Sequence, residues 1–306
     1  MKVFITGGAW FIGSYLSEIY ESWGHEVIIF DNLSTGNLKN LSAIKNDITF
    51  IQWDVRDLDL LTQSMAGADL VIHLAAIVSV QQSIDNPHET HEVTAGWTLN
   101  VFESARVNNI SKILFASSAA VYGEQWELPI TETAILSPMS PYAIAKLMCE
   151  KYAEYYSHNY NMDIMAMRFF NVYWPRQDPK SSYAGVISKF IESFQKNTAI
   201  TVFGDGEQTR DFIYVLDLCN AIYKLSLSKW GKFWVVNIWR GSSTSLNQLL
   251  SILKEVTNKS PSISYKNSLN GDIVHSCANI TKLSNYIDCN FSFPLEKWLE
   301  NFFIKK

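Results

Sequence analysis

The chain has 306 residues, with 25 Lys and Arg against 30 Asp and Glu for a formal charge of −5. Hydrophobic residues make up 47% and charged residues 18%, enough to bury one large core or two ordinary ones. These proportions exclude disordered, collagen-like and mucin-like chains, and the lack of basic clusters argues against a dedicated binder of nucleic acid or anionic membrane.

Residues 2–6 read as a strand running straight into a glycine turn, Gly7-Gly8-Ala9-Trp10-Phe11-Ile12-Gly13. No basic segment, apolar run and cleavage site precede it, so a secretory leader is not expected and the cytoplasm is the expected compartment. The turn opens an amphipathic helix over 12–23, and a second strand, 26–30, ends in Asp31. A glycine turn at a helix N-terminus sets backbone N–H groups and the positive helix end against a pyrophosphate. An acid at the end of the next strand accepts from the adenosine ribose hydroxyls and repels a 2′-phosphate, which favours NAD over NADP. Glycines serving a tight turn alone would leave Asp31 unexplained.

Strands over 48–51, 70–74, 112–116 and 164–168, with helices over 58–65, 89–107 and 142–160, continue the alternation. Short apolar strands alternating with helices indicate a parallel sheet covered on both faces. The expected fold is α/β, a Rossmann-type doubly wound sheet over 1–172. After Asn171 the alternation weakens, and loops rich in Pro, Asn and Ser (175–182, 258–270) separate shorter elements. They suggest a smaller mixed α/β substrate domain over 173–306, with a segment near 205–240 returning to the first domain.

The longest apolar run, 68–80, contains Asp69, His73 and Ser79 and falls short of a membrane span. Cys149, Cys219, Cys277 and Cys289 are too scattered for a metal knuckle and too few for a disulfide scaffold, so buried free thiols are expected. His88 and His91 have no third ligand nearby and read as a polar helix start after Pro87; no metal is expected.

The strand at 112–116 leads into Ser117-Ser118, and a later helix carries Tyr142-Ala143-Ile144-Ala145-Lys146. Tyr and Lys at i and i+4 share one helix face. The ammonium is expected to lower the Tyr pKa from about 10 toward the working pH. The phenolate could then remove a proton from a sugar hydroxyl while hydride leaves the same carbon for a nicotinamide. A Ser at a strand's C-terminal end would share that proton network.

These motifs stand in order with DNLSTGN (31–37), WDVRD (53–57), HLAA (73–76), SSAAVYGE (117–124), SPYAIAK (140–146), RFFNVYWPRQDP (168–179), FGDGEQTRDFIYVLDL (203–218) and NIWRG (237–241). From residue 1 to about 290 the chain resembles the extended short-chain dehydrogenase/reductases, and within them the NAD-dependent nucleotide-sugar epimerases of the UDP-glucose 4-epimerase type. The resemblance implies a catalytic triad of Ser118, Tyr142 and Lys146. Around a tightly held NAD it places Gly7, Trp10, Phe11, Ile12, Gly13, Asp31, Asn32, Asp54, Val55, Leu74, Ala75, Ala76 and Phe170, together with Tyr142 and Lys146. Asn171 and Arg210, with Ser118 and Tyr142, would meet a nucleotide-sugar substrate, in the first instance a UDP-sugar. It further implies a homodimer through the helices 89–107 and 142–160. In the family mechanism Tyr142 takes the O4 proton, a 4-keto sugar forms, and hydride returns to its other face. Related 4,6-dehydratases carry an acidic pair, and decarboxylases a Glu, where this chain has Ala119 and Ala120; epimerisation survives. The alternative is another NAD-dependent nucleotide-sugar epimerase or a dehydratase.

Some departures concern the substrate. The family's Arg-x-Gly-Asp reads Leu269-Asn270-Gly271-Asp272, Thr94 replaces a frequent Asn, and Val78 stands where close relatives carry Lys. These weaken UDP-galactose as the specific substrate more than nucleotide sugar as the class. The larger departure is systematic. Trp10, Trp53, Trp97, Trp174 and Trp239 stand where the family pattern has glycine, and Trp126 and Trp234 are expected to do so as well. Against 14 glycines the chain has 10 tryptophans, and moving five residues between them makes both counts ordinary. Independent mutation would scatter among residue types. The uniformity points to one codon, UGA, read as glycine by the source organism and translated here as tryptophan. The rival reading keeps the tryptophans and makes the chain a non-catalytic relative binding a partner or a sugar nucleotide; a structural role as core filler is a third. Tryptophans at turns of positive φ would also cost stability.

Overall fold

The computed structural model describes residues 1–173, 176, 185–268, 274–289, 291 and 293–304. Trp174, most of the 175–182 loop and the 269–272 segment lie outside them. Along the chain run β1 (Lys2–Thr6), α1 (Phe11–Ser22), β2 (Glu26–Phe30), β3 (Ile48–Ile51), α2 (Leu58–Ser64), β4 (Leu70–His73), α3 (Val80–Asp85), α4 (Pro87–His91) and α5 (Trp97–Val107). There follow β5 (Lys112–Ser118), α6 (Pro141–Tyr160), β6 (Asp163–Phe169), β7 (Asn171–Tyr173), α7 (Val186–Lys196), β8 (Ile200–Phe203), β9 (Thr209–Tyr214), α8 (Val215–Leu227), β10 (Phe233–Ile238), β11 (Ser243–Ser245), α9 (Leu246–Thr257) and β12 (Ile263–Lys266).

The continuous apolar strands pair as a seven-stranded sheet in the order β10-β6-β5-β4-β1-β2-β3. Every pair in it is parallel. Alternation along β1 sends Val3 and Ile5 into a core shared with Leu16, Leu218 and Ile222, and Phe4 into the opposite core with Val71, Phe102 and Phe115. Burial on both faces is why the strands read as unbroken apolar runs. The chain winds outward from β1 to β3, then restarts at β4 on the other side of β1. That reversal opens a crevice at the carboxyl ends of β1 and β4. Beyond β6, two small sheets, β11-β9-β7 and β12-β8, form the remaining layers.

Local chemistry explains most boundaries. Ser140 caps α6 by accepting from the Ala143 N–H, Pro141 follows at the first helical position, and left-handed Asn161 ends the helix. The single helix expected over 89–107 is instead α4, a π-helical turn at Glu92–Gly96, and α5. A π turn inserts a residue into an otherwise α-helical ladder, which periodicity cannot register. Cys149 and Cys219 are buried, but Cys277 and Cys289 are only half-buried, so the expectation of buried thiols holds for two of the four. Among the described residues no helix is long and apolar enough to cross a membrane.

Candidate functional site

Two cavities, of about 310 and 330 Å³, occupy the crevice and meet at Gly7, Trp10, Leu74 and Ala76. The first is lined by Asp31, Asn32, Asp54, Val55 and Ala75; the second by Phe11, Ile12, Gly13, Ser118, Tyr142, Lys146, Phe170 and Asn171. Every residue nominated from the sequence except Arg210 therefore borders one cavity or both. Arg210 lies on β9, where its Nη1 donates to the Thr209 carbonyl at 2.9 Å and to that of Val274 at 3.4 Å.

The turn between β1 and α1 needs its glycines. Gly7 has φ +70°, and a Cβ there would come within 2.9 Å of the Ala75 nitrogen; a Cβ on Gly13 would strike the Gly7 carbonyl. No side chain caps α1 and no acid occupies its first turn, so its N-terminal N–H groups face the crevice, with the Asp31 carboxylate beside the turn. Asp31 is buried. It accepts from the Ala9 N–H at 2.9 Å and the Leu33 N–H at 2.8 Å, and burial still raises its pKa. Asp54 accepts from Asn32 Nδ2 and Arg56 Nη2, both at 2.9 Å, and these bonds outweigh partial burial to leave its pKa lowered. This donor and acceptor set fits a dinucleotide, with one exception. Trp10 borders both cavities, at the junction between the adenosine side and the catalytic side.

On the catalytic side the Tyr142 phenol hydrogen-bonds with Ser118, whose Oγ also accepts from the Ala120 N–H at 3.1 Å. Lys146 donates to the Ala116 carbonyl at 2.7 Å, and its Nζ is 5.9 Å from the centre of the Tyr142 ring. The expected lowering of the Tyr142 pKa does not hold in this structure. Burial pushes it up to about 12, and the Ser118 hydrogen bond only partly offsets that. The Lys146 ammonium is turned to a carbonyl instead of the phenol oxygen, and burial lowers its own pKa. Among the described lining residues of this cavity there is no Asp, Glu, His or Cys.

Two buried networks behind the cavity escaped the sequence reading. Thr6 Oγ1 and His73 Nδ1, register partners across β1 and β4, lie 2.7 Å apart, and His73 Nε2 is 3.0 Å from Thr98 Oγ1. Thr6 also accepts from the Leu74 and Ala75 N–H groups, which fixes the loop shared by the two cavities. Glu150 pairs with Arg168 and Ser117 beneath the triad. The signal for this second network was a lone acid on the inward face of α6 and a lone Arg in the apolar strand 163–169.

None of the described tryptophans has positive φ, so the expected backbone strain is absent. Trp10 is extended and Trp97 helical, conformations open to any residue. The cost is one of space and unmet polarity. Trp239 is fully buried, its indole nitrogen lacks a hydrogen-bond partner, and its ring centre lies 2.9 Å from that of Phe170. Aromatic pairs ordinarily sit about 4.5–7 Å apart. The Trp97 indole nitrogen is likewise buried without a partner. Trp53 and Trp97 both border the adenosine-side cavity.

The profile of the NAD dependent epimerase/dehydratase family matches residues 3–237. A protein of Methanocaldococcus jannaschii, provisionally named a UDP-glucose 4-epimerase, is 41% identical over 254 residues, covering 82% of this chain and 81% of its own. The UDP-N-acetylglucosamine 4-epimerase from Methanobrevibacter ruminantium, solved with UDP-N-acetylmuramic acid, superposes with a TM-score of 0.91 at 36% identity, over 99% of this chain and 97% of that one. Thermus thermophilus UDP-glucose 4-epimerase in complex with NAD gives 0.87 at 30% identity, over 98% and 97%.

Proposed function

We propose that this chain, which belongs to the NAD-dependent epimerase/dehydratase family, inverts C4 of a UDP-sugar, with UDP-glucose and UDP-galactose as the leading pair. The observation that carries this reading is the catalytic-side cavity, which offers Tyr142, Ser118 and Lys146 and, among the described residues, no carboxylate. Inversion through a 4-keto sugar needs one group that takes and returns the O4 proton. Elimination of water would need a further acid and base at C5 and C6, and the described lining of this cavity includes Ala120 but no acid.

When bound, NAD supplies the hydride acceptor and donor. The protein's own residues do the rest. The glycine turn and the N-terminus of α1 hold the pyrophosphate, while Asp31 and Asn32 hold the adenosine ribose. Ser118 and Tyr142 bracket the sugar O4, with the proton moving at the Tyr142 oxygen. Lys146 supplies positive charge from one turn further along α6. Asn171, which lines the catalytic-side cavity, would meet the nucleotide diphosphate, whereas Arg210 would have to leave the Thr209 and Val274 carbonyls to join it. The exposed side chains of Val107 and Ile144 lie on the helices through which two copies would pair.

The test is incubation of the full chain with UDP-glucose, UDP-N-acetylglucosamine and UDP-glucuronate in turn, with the product sugar read by NMR. A C4 epimer of unchanged mass is expected from at least one. Tyr142→Phe should cut turnover by about 10³-fold. A product lighter by one water would make the chain a dehydratase.

A second reading concerns the tryptophans and rests on the indoles of Trp10 and Trp239. We infer that the native chain carries glycine at positions 10, 53, 97, 174 and 239. The mass of the native-host peptide spanning position 10 decides it. Glycine supports the active enzyme; tryptophan turns the reading toward a non-catalytic relative.

A further inference from the structure

Glu150 stands one helical turn beyond Lys146 and two beyond Tyr142, buried on the face of α6. Its Oε1 accepts from Ser117 Oγ at 2.5 Å and from Arg168 Nε at 2.9 Å, and its Oε2 accepts from Arg168 Nη2 at 2.7 Å. Ser117 and Arg168 are register partners across β5 and β6, so one carboxylate grips both strands. Arg168 is itself fixed, donating to the Glu132 carbonyl at 3.2 Å and lying 4.6 Å over the Tyr122 ring. One turn back along α6, Lys146 holds the Ala116 carbonyl. The helix is thus fastened at two successive turns to Ala116 and Ser117, the two residues that lead into Ser118.

A buried ion pair adds little net stability over well-packed apolar side chains, but its fixed hydrogen-bond geometry specifies how the elements meet. We propose that Glu150 is a positioning residue for the Tyr142–Lys146 pair: with Arg168 and Ser117 it sets the seat of α6 on the end of β5, and it places a carboxylate one helical turn from Lys146. Its catalytic consequence rests on the epimerase reading; the seating itself does not.

The surroundings of Lys146 support the electrostatic half. From β4 comes His73, which burial holds neutral with its pKa down at about 3. From α6 comes Cys149, whose thiol burial pushes up. The π turn and α5 contribute the neutral Thr94 and Thr98, β5 the neutral Ser118, and β6 the Arg168 cation that Glu150 compensates. Asp85 of α3 is turned outward to Gln81. Burial lowers the Lys146 pKa, Cys149 and then Glu150 oppose it, and among the described residues Glu150 is the carboxylate that does so.

The test is the pH dependence of Lys146 acetylation by acetic anhydride, followed by peptide mass spectrometry on the full chain. Lys146 borders the cavity, so the small reagent reaches it, and only the neutral amine reacts. In Glu150→Gln the midpoint is expected to fall by about one pH unit. In Glu150→Asp, which keeps the charge on a shorter arm, it stays near the parent value. Should Glu150→Gln not fold, the double variant E150L/R168M removes the anion and its cation together; its midpoint stays near the parent value, while its kcat falls about tenfold with KM unchanged because the seat of α6 is lost. An unmoved midpoint in Glu150→Gln, or a parent kcat in the double variant where that must stand in, overturns the proposal. Turnover in Glu150→Gln should drop about tenfold with KM unchanged. A displaced midpoint in a chain that converts no nucleotide sugar upholds the positioning role and fails the epimerase reading instead.

Discussion

On the catalytic side of the crevice, Tyr142, Lys146 and Ser118 are held by side chains that reach across helix and strands: Glu150 to Arg168 and Ser117, and His73 to Thr6 and Thr98. On the adenosine side a glycine turn and the loop after β4 present their backbone beside Asp31, Asn32 and Asp54, and are steadied by Asp31 and Thr6. The two sides have different weaknesses. Side-chain networks fail when a charge or a hydrogen-bonding partner is lost. Backbone cradles fail when a side chain occupies the space a ligand needs. Among the described residues Trp10, Trp53 and Trp97 border the adenosine side, whereas only Trp10 borders the catalytic side.

The largest expected effect breaks the side-chain network. His73 is buried neutral with a pKa of about 3, against about 6.5 in an unfolded chain. The unfolded chain takes up that proton first as pH falls, so this contribution is complete above about pH 6.5 and is lost toward pH 3, on the order of 4 kcal/mol in all. Urea melts across that range should show the loss, and His73→Asn should flatten it. An unaltered curve in the variant would remove His73 from the acid response.

Next comes the backbone cradle. Trp10→Gly clears the junction of the two cavities, and NAD affinity measured by calorimetry is expected to rise about a hundredfold, close to 2.7 kcal/mol. Equal affinity in both chains would mean that the indole swings clear, and the contrast between the two sides would lose its basis.

A smaller effect is expected at Trp239. Truncating a fully buried indole normally costs about 3–5 kcal/mol. Here the indole crowds Phe170 and buries a donor without a partner. Trp239→Gly should therefore raise the Tm, with a gain of about 1–2 kcal/mol from relieving the unmet donor. A drop in Tm would show that the indole packs as an ordinary core residue. The least change belongs to Trp53, which is half exposed and donates to Asp57 at 2.8 Å. Trp53→Gly should shift stability by no more than about 1 kcal/mol in denaturant melts, and NAD affinity by far less than the change at position 10.

Much of this arrangement was legible before any coordinates. Continuous apolar strands, a glycine turn and an acid at the end of the second strand are local patterns, and each carries its own physical cause. They led to the parallel sheet, to the crevice, and to every nominated residue that lines it. The π turn at Glu92–Gly96 was not legible, because it alters helix pitch without altering the apolar pattern. Arg210 was nominated by motif alone, and its side chain lies against Val274 rather than either cavity.

The sequence by itself determined the order of strands and helices, the glycine turn, and the identities of Ser118, Tyr142 and Lys146, because these follow from spacing within a few residues. Only the tertiary structure decided that Glu150 meets Arg168 and Ser117, that Lys146 turns to Ala116, that burial raises the Tyr142 phenol pKa, and that Trp239 meets Phe170. Those outcomes depend on burial and on contacts between distant segments, which fix the local dielectric and the space available. No local pattern encodes either.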